Sequence, residues 1–257
     1  MLKKHGGITL TNVMITGASV GLGASIARQF AARGDHLYLI ARRKPLLKDL
    51  ETELLAIGAA SVEYRVVDLA DRTQVQQLAE DLPKIGVDVL INNAGFGHLD
   101  FSWDTTPERM RTMIDVNVSA VAILSLAFSQ LCREQPSRLM NVASGAGYAL
   151  FEGSIPYCAS KFFVTALTEG IAQELSSQKL PMRAQLLAPG PIATEFVPNA
   201  MKDSKMSGLS TDGIEFHSAD HVAGLAMQLY DSDAVVGTVE PDMSFSLSGG
   251  RHQVSQL

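Results

Sequence analysis

The stretch "NVMITGASVGLGASIARQFAARG", residues 12–34, decides the fold. Its first five residues, "NVMIT" (12–16), read as a short apolar strand. A turn carrying Gly17, Gly21 and Gly23 follows, and then a helix whose Ile26 and Phe30 fall on one face and whose Gly34 stops it. The glycine spacing is G-x-x-x-G-x-G rather than the commoner G-x-G-x-x-G. The physics is the same: glycines permit a tight turn, and backbone N–H groups at the positive end of the helix can approach a pyrophosphate. An ordinary strand-to-helix turn would look similar, so the rest of the chain has to arbitrate.

Outward from this stretch, strands and helices alternate. "HLYLIA" (36–41) is a second strand, and Pro45 then fits the first turn of a helix with Leu46, Leu47, Leu50 and Leu54 as its apolar stripe. "SVEYRVVDL" (61–69) is a third strand, followed by a short helix from Val75 to Leu82. "VDVLINNAG" (87–95) reads as a strand buried on both faces. Thr106-Pro107-Glu108 opens a long helix, with threonine as cap and proline at the first position. "RLMNVAS" (138–144) is a fifth strand, Pro156 to Ser177 a helix, and "MRAQLLAPG" (182–190) a sixth strand. Residues 191–216 show no clear period, a helix begins near Ser218, and "VEPDMSFSLSGG" (239–250) holds a last strand. The pattern predicts an α/β fold: one doubly wound, mostly parallel, seven-stranded sheet with helices on both faces. A single domain is expected over 1–257, with a cofactor half at 10–135, a catalytic and substrate half at 136–257, and a candidate lid at 191–216.

Composition agrees with that reading. The 257 residues are 46% hydrophobic and 19% charged, enough for one large core. A net charge of -6, with no basic run beyond "ARRK" (41–44), argues against a nucleic-acid surface. Cys132 and Cys158 form neither a metal spacing nor a disulfide framework, so no metal is expected and both read as free thiols in a reducing compartment. The amino terminus lacks the shape of a signal peptide. The apolar stretch 116–128 is too short and too interrupted to span a bilayer. A soluble cytoplasmic protein is expected.

Ligands of such sheets sit beyond the carboxyl ends of the strands. The second strand ends at Ala41, with no carboxylate to repel a phosphate, and Arg42 and Arg43 follow. Guanidinium groups bind phosphate through charge-assisted bonds, which favours NADP over NAD, although arginine pairs are often plain solvated turns. Asp68 and Leu69 stand where an adenine edge would be met, although an aspartate leading into a turn is also routine, and "NNAG" (92–95) is turn chemistry or a loop that cups a ribose. Ser144 lies in "VASGAG", where Val142 takes the place of the first glycine of a nucleophile elbow, so a serine hydrolase is disfavoured. Tyr157 and Lys161, in "YCASK", share one helical face.

Together these residues resemble the classical short-chain dehydrogenase/reductase family, from "TGASVGLG" through "NNAG", Asn117 in "DVN", Ser144 and "YCASK" to "APGPIAT" (188–194). With "LIARR" and "NNAGFG" the chain is similar to bacterial NADP-dependent members of unassigned substrate. The resemblance implies a Rossmann-like fold and a hydride transfer between NADP(H) and a carbonyl or secondary alcohol. Tyr157 would be the general acid/base, Lys161 would lower its pKa and bond the nicotinamide ribose, Ser144 would polarise the substrate oxygen, and Asn117 would hold a water. Cofactor contacts would run through Gly17, Ser19, Gly21, Leu22, Gly23, Arg42, Arg43, Asp68, Leu69, Asn93, Ala94, Gly95, Tyr157, Lys161, Pro189, Gly190, Ile192 and Thr194. Val20 stands where many NADP-using members carry a basic residue, which leaves phosphate recognition to Arg42 and Arg43. The carboxyl terminus lacks the family's usual "DGG", and a homodimer or homotetramer is expected.

The competing class is a catalytically silent NADP-binding sensor or scaffold, which need not keep Asn117, Ser144, Tyr157 and Lys161 together. Dehydratase or epimerase chemistry on nucleotide sugars usually needs a longer chain. The small-molecule pocket is expected to be mostly apolar: Phe96 and His98, Ala146, Tyr148, Leu150 and Phe151, then Ile192, Phe196 and Val197.

Overall fold

The protein was analysed as a computed structural model, which describes residues 4–5, 8–202, 204–205, 215–240, 242 and 244–254. Lys4–His5 and Ile8–Thr9 form a small antiparallel ladder ahead of the main sheet. The main strands are β1 (Asn12–Thr16), β2 (His36–Ala41), β3 (Ser61–Val66), β4 (Val89–Asn92), β5 (Arg138–Val142), β6 (Arg183–Ala188), β7 (Val236–Val239) and β8 (Phe245–Ser248). The helices are α1 (Gly21–Ala32), α2 (Lys44–Ile57), α3 (Arg72–Ile85), α4 (Pro107–Cys132), α5 (Ile155–Ser177), α6 (Phe196–Met201) and α7 (Ala219–Asp231).

The strand order is β8-β7-β6-β5-β4-β1-β2-β3, parallel throughout except for β8 against β7. The doubly wound sheet is as expected, but among the described residues it has eight strands rather than seven. The expected last strand, 239–250, is in fact the end of β7 and the antiparallel β8. Gly237 hides the seventh strand from sequence reading by weakening its β-branched run. A Cβ there would lie 2.9 Å from the Phe245 ring, so the gap in the pattern is what lets β8 close over β7.

Neighbouring residues of β1 point to opposite faces and found two cores. Ile15 joins Ile26, Phe30, Leu47, Leu54 and Val222 under α1, α2 and α7, while Met14 joins Leu78, Leu124, Phe128 and Ile171 under α3, α4 and α5. Fully burying each such side chain stabilises by roughly 1.5–3 kcal/mol. Helix α4 is long and apolar enough, by length and composition, to cross a membrane, and it is longer than the 116–128 stretch read from sequence. Half of its apolar window is buried, and it serves here as a core helix with Leu124 and Phe128 packed inside.

β1 pairs with both β2 and β4, so successive units leave the sheet centre in opposite directions. The crevice beyond the carboxyl ends of β1 and β4 is the switch point where a doubly wound sheet takes its ligand. Thr106 and Ser218 cap α4 and α7 through their hydroxyls, as read from sequence for Thr106. Helix α3 runs 14 residues, longer than its apolar positions imply, because Asp71 caps it early by accepting from the N–H groups of Thr73 and Gln74.

Candidate active site at the switch point

The glycine turn is built by exclusion. Gly17 has φ +65°, and a Cβ on it would lie 2.8 Å from the Ala94 Cα. Asn93 donates its amide to the carbonyls of Thr16 (3.0 Å) and Gly17 (3.2 Å), and the Thr16 hydroxyl accepts from the N–H groups of Asn93 and Ala94 at 3.1 Å. Of the two roles open to "NNAG", these bonds serve turn chemistry: the segment locks β4 to the glycine turn. Asn92 points into the core, donating to Asn141 Oδ1 (2.9 Å) and Ser125 (3.1 Å), while Asn141 donates to Thr168 (2.8 Å). This buried polar ladder joins β4 and β5 to α4 and α5. Sequence reading missed it.

Val20 precedes α1 and offers no side-chain cap, which leaves the first N–H groups of the helix for a ligand. A cleft of ≈ 450 Å³ runs from Ser19–Gly21 between α1, α2 and the start of α7. Thr194 lies against Gly21, where a Cβ would meet the threonine methyl at 3.0 Å. An uncapped helix end and a turn with no room for side chains fit a dinucleotide pyrophosphate, whereas the cleft beside them carries Asp49, Glu53 and Asp220, whose charge opposes one.

The other expected contacts are placed as follows. Arg42 is exposed, while Arg43 donates to Glu195 at 2.9 Å and to the Ser19 hydroxyl at 3.4 Å, so it spans the crevice. Asp68 accepts from the Ala70 N–H at 3.0 Å as a turn residue, and Leu69 is buried beside it. Pro189 is buried, Gly190 lies against His217, and Ile192 pairs with His217 across an isolated parallel bridge.

Asn117, Ser144, Tyr157 and Lys161 converge beyond β4 and β5. Asn117 sits in a π-helical turn, Asp115–Ala120, inside α4. Such turns carry an extra residue per turn and often mark functional sites. Its amide accepts from the Phe96 N–H (3.1 Å) and donates to the Phe96 carbonyl (2.8 Å) and the Ser160 hydroxyl (3.1 Å). Gly95 makes the meeting possible, since a Cβ there would come within 3.3 Å of both Asn117 Oδ1 and Lys161 Nζ. Lys161 is buried and donates to the Val142 carbonyl at 3.0 Å. Burial lowers its pKa to about 8.

Tyr157 is half-buried, with Lys161 Nζ 5.8 Å from its ring centroid. The protein packed around the phenol raises its pKa, and the neighbouring Ser144 hydroxyl opposes that rise. Ser144 in turn accepts from the Ala146 N–H at 3.2 Å and caps the short 3-10 turn Gly145–Gly147. Phe196 tilts over Tyr157 at 5.4 Å, and Gly97 packs under both rings. Phe96 meets His98 edge-on at 5.7 Å, and a cavity of ≈ 380 Å³ is lined by Ile192, Thr194, Val197 and Phe216. Leu150 and Phe151 form an exposed rim, whereas Ala146 is buried and Tyr148 gives its hydroxyl to Glu169.

Asp100 is 2% exposed and was not singled out from sequence. It accepts from the Ser204 hydroxyl and the Lys205 N–H, both at 3.0 Å, and from Arg109 at 3.3 Å. It thereby ties the middle of the segment 191–216, the expected lid, to the loop after β4. Met206, Gly208 and Gly213 of that lid lie outside the described residues.

Comparison with known proteins agrees with this geometry. The family profile described as short chain dehydrogenase matches residues 11–205. An uncharacterized oxidoreductase of Staphylococcus saprophyticus is 36% identical over 188 residues, covering 71% of this chain and 74% of that protein. Dehydrogenase/reductase SDR family member 11 of Gallus gallus is 34% identical over 192 residues, covering 71% and 75%. Among solved structures, a short-chain dehydrogenase from Sphingobium yanoikuyae in complex with NADPH superposes with a TM-score of 0.79 at 29% identity, covering 89% of this chain and 87% of that one. A short-chain dehydrogenase/reductase from Burkholderia phymatum in complex with NAD also gives 0.79, at 25% identity, covering 91% and 90%. With the profile matching most of its length and the strand-end residues in place, the chain belongs to the short-chain dehydrogenase family.

Proposed function

We propose that this oxidoreductase exchanges a hydride between NADP(H) and an apolar carbonyl or secondary alcohol, with Tyr157 as general acid/base. The family and the dehydrogenase/reductase relatives make it an NAD(P)-dependent enzyme acting on CH–OH groups, and a silent sensor or scaffold is not favoured. The observation that carries the residue assignment is the convergence of buried Lys161 on Tyr157, its Nζ 5.8 Å from the ring centroid, with Asn117 beside the lysine at Gly95.

When bound, the nicotinamide supplies or accepts the hydride. Tyr157, held protonated by its surroundings, donates to the carbonyl oxygen as negative charge develops there. Ser144 holds that oxygen from the other side. Lys161 sits beneath the phenol to stabilise it once the proton has left, and Asn117 fixes the Phe96 backbone and the lysine's neighbourhood for proton resupply. Arg42 and Arg43 lie at the end of β2, where the extra phosphate of NADP would be met, and Ala41 brings no opposing carboxylate. Relatives bind NADPH or NAD, so this preference rests on the arginines. Phe96, Ile192, Phe196 and Val197 support an apolar substrate.

Leu126 on α4 and Phe163 on α5 are exposed large hydrophobics, which supports a homodimer through the two long helices. The two buried free thiols fit a reducing, cytoplasmic setting, with burial pushing the Cys132 thiol up to about 11.

The test is consumption of NADPH and NADH, side by side, over ketones, aldehydes and diketones, with Tyr157→Phe as control. Turnover that prefers NADPH and is lost in the variant supports the reading. Activity that survives Tyr157→Phe overturns the assignment, and equal use of both cofactors overturns the NADP preference.

A further inference from the structure

Glu169 lies on α5, two helical turns beyond Lys161, and is 1% exposed. The reaction above makes no use of its carboxylate. One oxygen accepts the Tyr148 hydroxyl, and the other accepts the backbone N–H groups of Arg251 (2.6 Å) and His252 (2.7 Å). The His252 ring stands 3.2 Å from the same oxygen. Burial alone would raise the pKa of this carboxyl, yet the His252 N–H, the Tyr148 hydroxyl and the Arg251 N–H together hold it below the ordinary glutamate range. A buried carboxylate with this many donors is an anchor, and removing any donor leaves charge poorly compensated.

The chain end is shaped to reach that anchor. Gly250 has φ +101°, and a Cβ on it would lie 2.8 Å from Glu169 Oε2, so only glycine allows the approach. One turn along α5, Gln173 donates to the His252 carbonyl and accepts from the Val254 N–H, both at 2.7 Å. The Arg251 guanidinium lies 4.4 Å from the centroid of the Tyr148 ring, and the His252 ring is parallel to it at 6.1 Å. Tyr148 closes the 3-10 turn that begins at Ser144: its N–H donates to the Gly145 carbonyl at 3.0 Å, and the Gly147 N–H donates to the Ser144 carbonyl at 2.8 Å. Beneath that turn, a Cβ on Gly147 would lie 2.4 Å from the Thr165 hydroxyl, so the turn is pressed directly onto α5.

We propose that the carboxyl-terminal segment Gly250–Val254 braces Ser144 through Glu169 and Tyr148, which act as positioning residues for the serine that polarises the substrate. The inference rests on the roles of Ser144 and Tyr157 given above. Tyr148 is fixed on both sides, by the Glu169 carboxylate at its hydroxyl and by Arg251 and His252 at its ring, and the 3-10 turn carries that rigidity four residues back to the Ser144 hydroxyl. Loosening it moves the Ser144 hydroxyl, the group that opposes the rise of the Tyr157 pKa.

The experiment compares wild type, Tyr148→Phe, Glu169→Gln and Tyr157→Phe in steady-state turnover, NADPH binding and the pH profile of alcohol oxidation. Tyr148→Phe keeps the ring stack and removes the hydroxyl. It is expected to lower kcat about tenfold, leave the NADPH dissociation constant within twofold, and move the acidic limb of the oxidation profile upward in pH. Glu169→Gln is expected to do the same more strongly, and if it does not fold, Tyr148→Phe decides alone. An unchanged kcat and limb in Tyr148→Phe, with Tyr157→Phe inactive, overturns the brace and leaves the catalytic assignment standing. An active Tyr157→Phe overturns the catalytic assignment itself.

Discussion

The Lys161 ammonium donates to the Val142 carbonyl at 3.0 Å, so a buried charge is held by a neutral partner. Burial lowers the lysine pKa to about 8, against about 10.4 in an unfolded chain. Below pH 8 both states are protonated, and the folded state bears the full cost of the buried charge, about 3 kcal/mol. Between those two values the unfolded chain binds more protons, so stability rises with pH and then levels off.

Lys161→Met is therefore expected to abolish turnover and to stabilise the cofactor-free protein by about 1–3 kcal/mol at pH 7, the lost bond to Val142 offsetting part of the gain. The difference from wild type is expected to shrink as pH rises from 8 towards 10.5. Urea unfolding of both proteins at several pH values measures this. A variant less stable than wild type at pH 7 would contradict it.

Arg43 and Glu195 form an exposed ion pair across the crevice mouth. A phosphate arriving at the end of β2 has to share Arg43 with that carboxylate. Glu195→Gln is expected to tighten NADPH binding by a few fold and leave NADH binding nearly unchanged. Arg42→Ala is expected to weaken NADPH far more than NADH, since charge-assisted bonds contribute about 1.5–3 kcal/mol. Calorimetric titration of both cofactors decides, and parallel losses would remove the phosphate assignment.

The strand ends were legible in the sequence because each lies where an apolar run stops, and the chemistry-bearing residues sit at those stops. The residues that shape the site were less legible. Asn117 was found, but its π turn was not, because an extra residue in a helix leaves the apolar spacing almost untouched. Asn92, Ser125, Asn141 and Thr168 form a buried ladder that is invisible without knowing which faces meet. Asp100 and Glu195 carry no signal in the sequence because Ser204 and Arg43, which they meet, stand more than 100 residues away.

Asp100 gathers Ser204, Lys205 and Arg109 and so holds the segment after α6 to the loop carrying Phe96 and His98. Asp100→Ala is expected to raise KM for the carbonyl substrate about tenfold, the equivalent of ~1.4 kcal/mol, with cofactor binding preserved. Steady-state kinetics at saturating cofactor would show it. A change confined to cofactor KM would place Asp100 outside the substrate wall.

Gly23 lies in the first turn of α1, where alanine would ordinarily stabilise a helix by about 1 kcal/mol. Here a Cβ would lie 2.4 Å from the Gly17 carbonyl oxygen and 2.5 Å from Asn93 Nδ2. Neither can retreat: the first is backbone in a turn held at positive φ, and the second donates to two carbonyls. Gly23→Ala is therefore expected to reverse the helix preference and destabilise by about 1–3 kcal/mol, the usual cost of overpacking. It should also weaken both NADPH and NADH, because the turn beneath the pyrophosphate shifts for either. Gly224→Ala, in α7 with nothing within 4 Å of the added carbon, is the matched control and is expected to stabilise slightly. Thermal unfolding and cofactor titration of the two variants separate a packing effect from a helix effect. Equal behaviour of both would mean that the glycine turn has room to give.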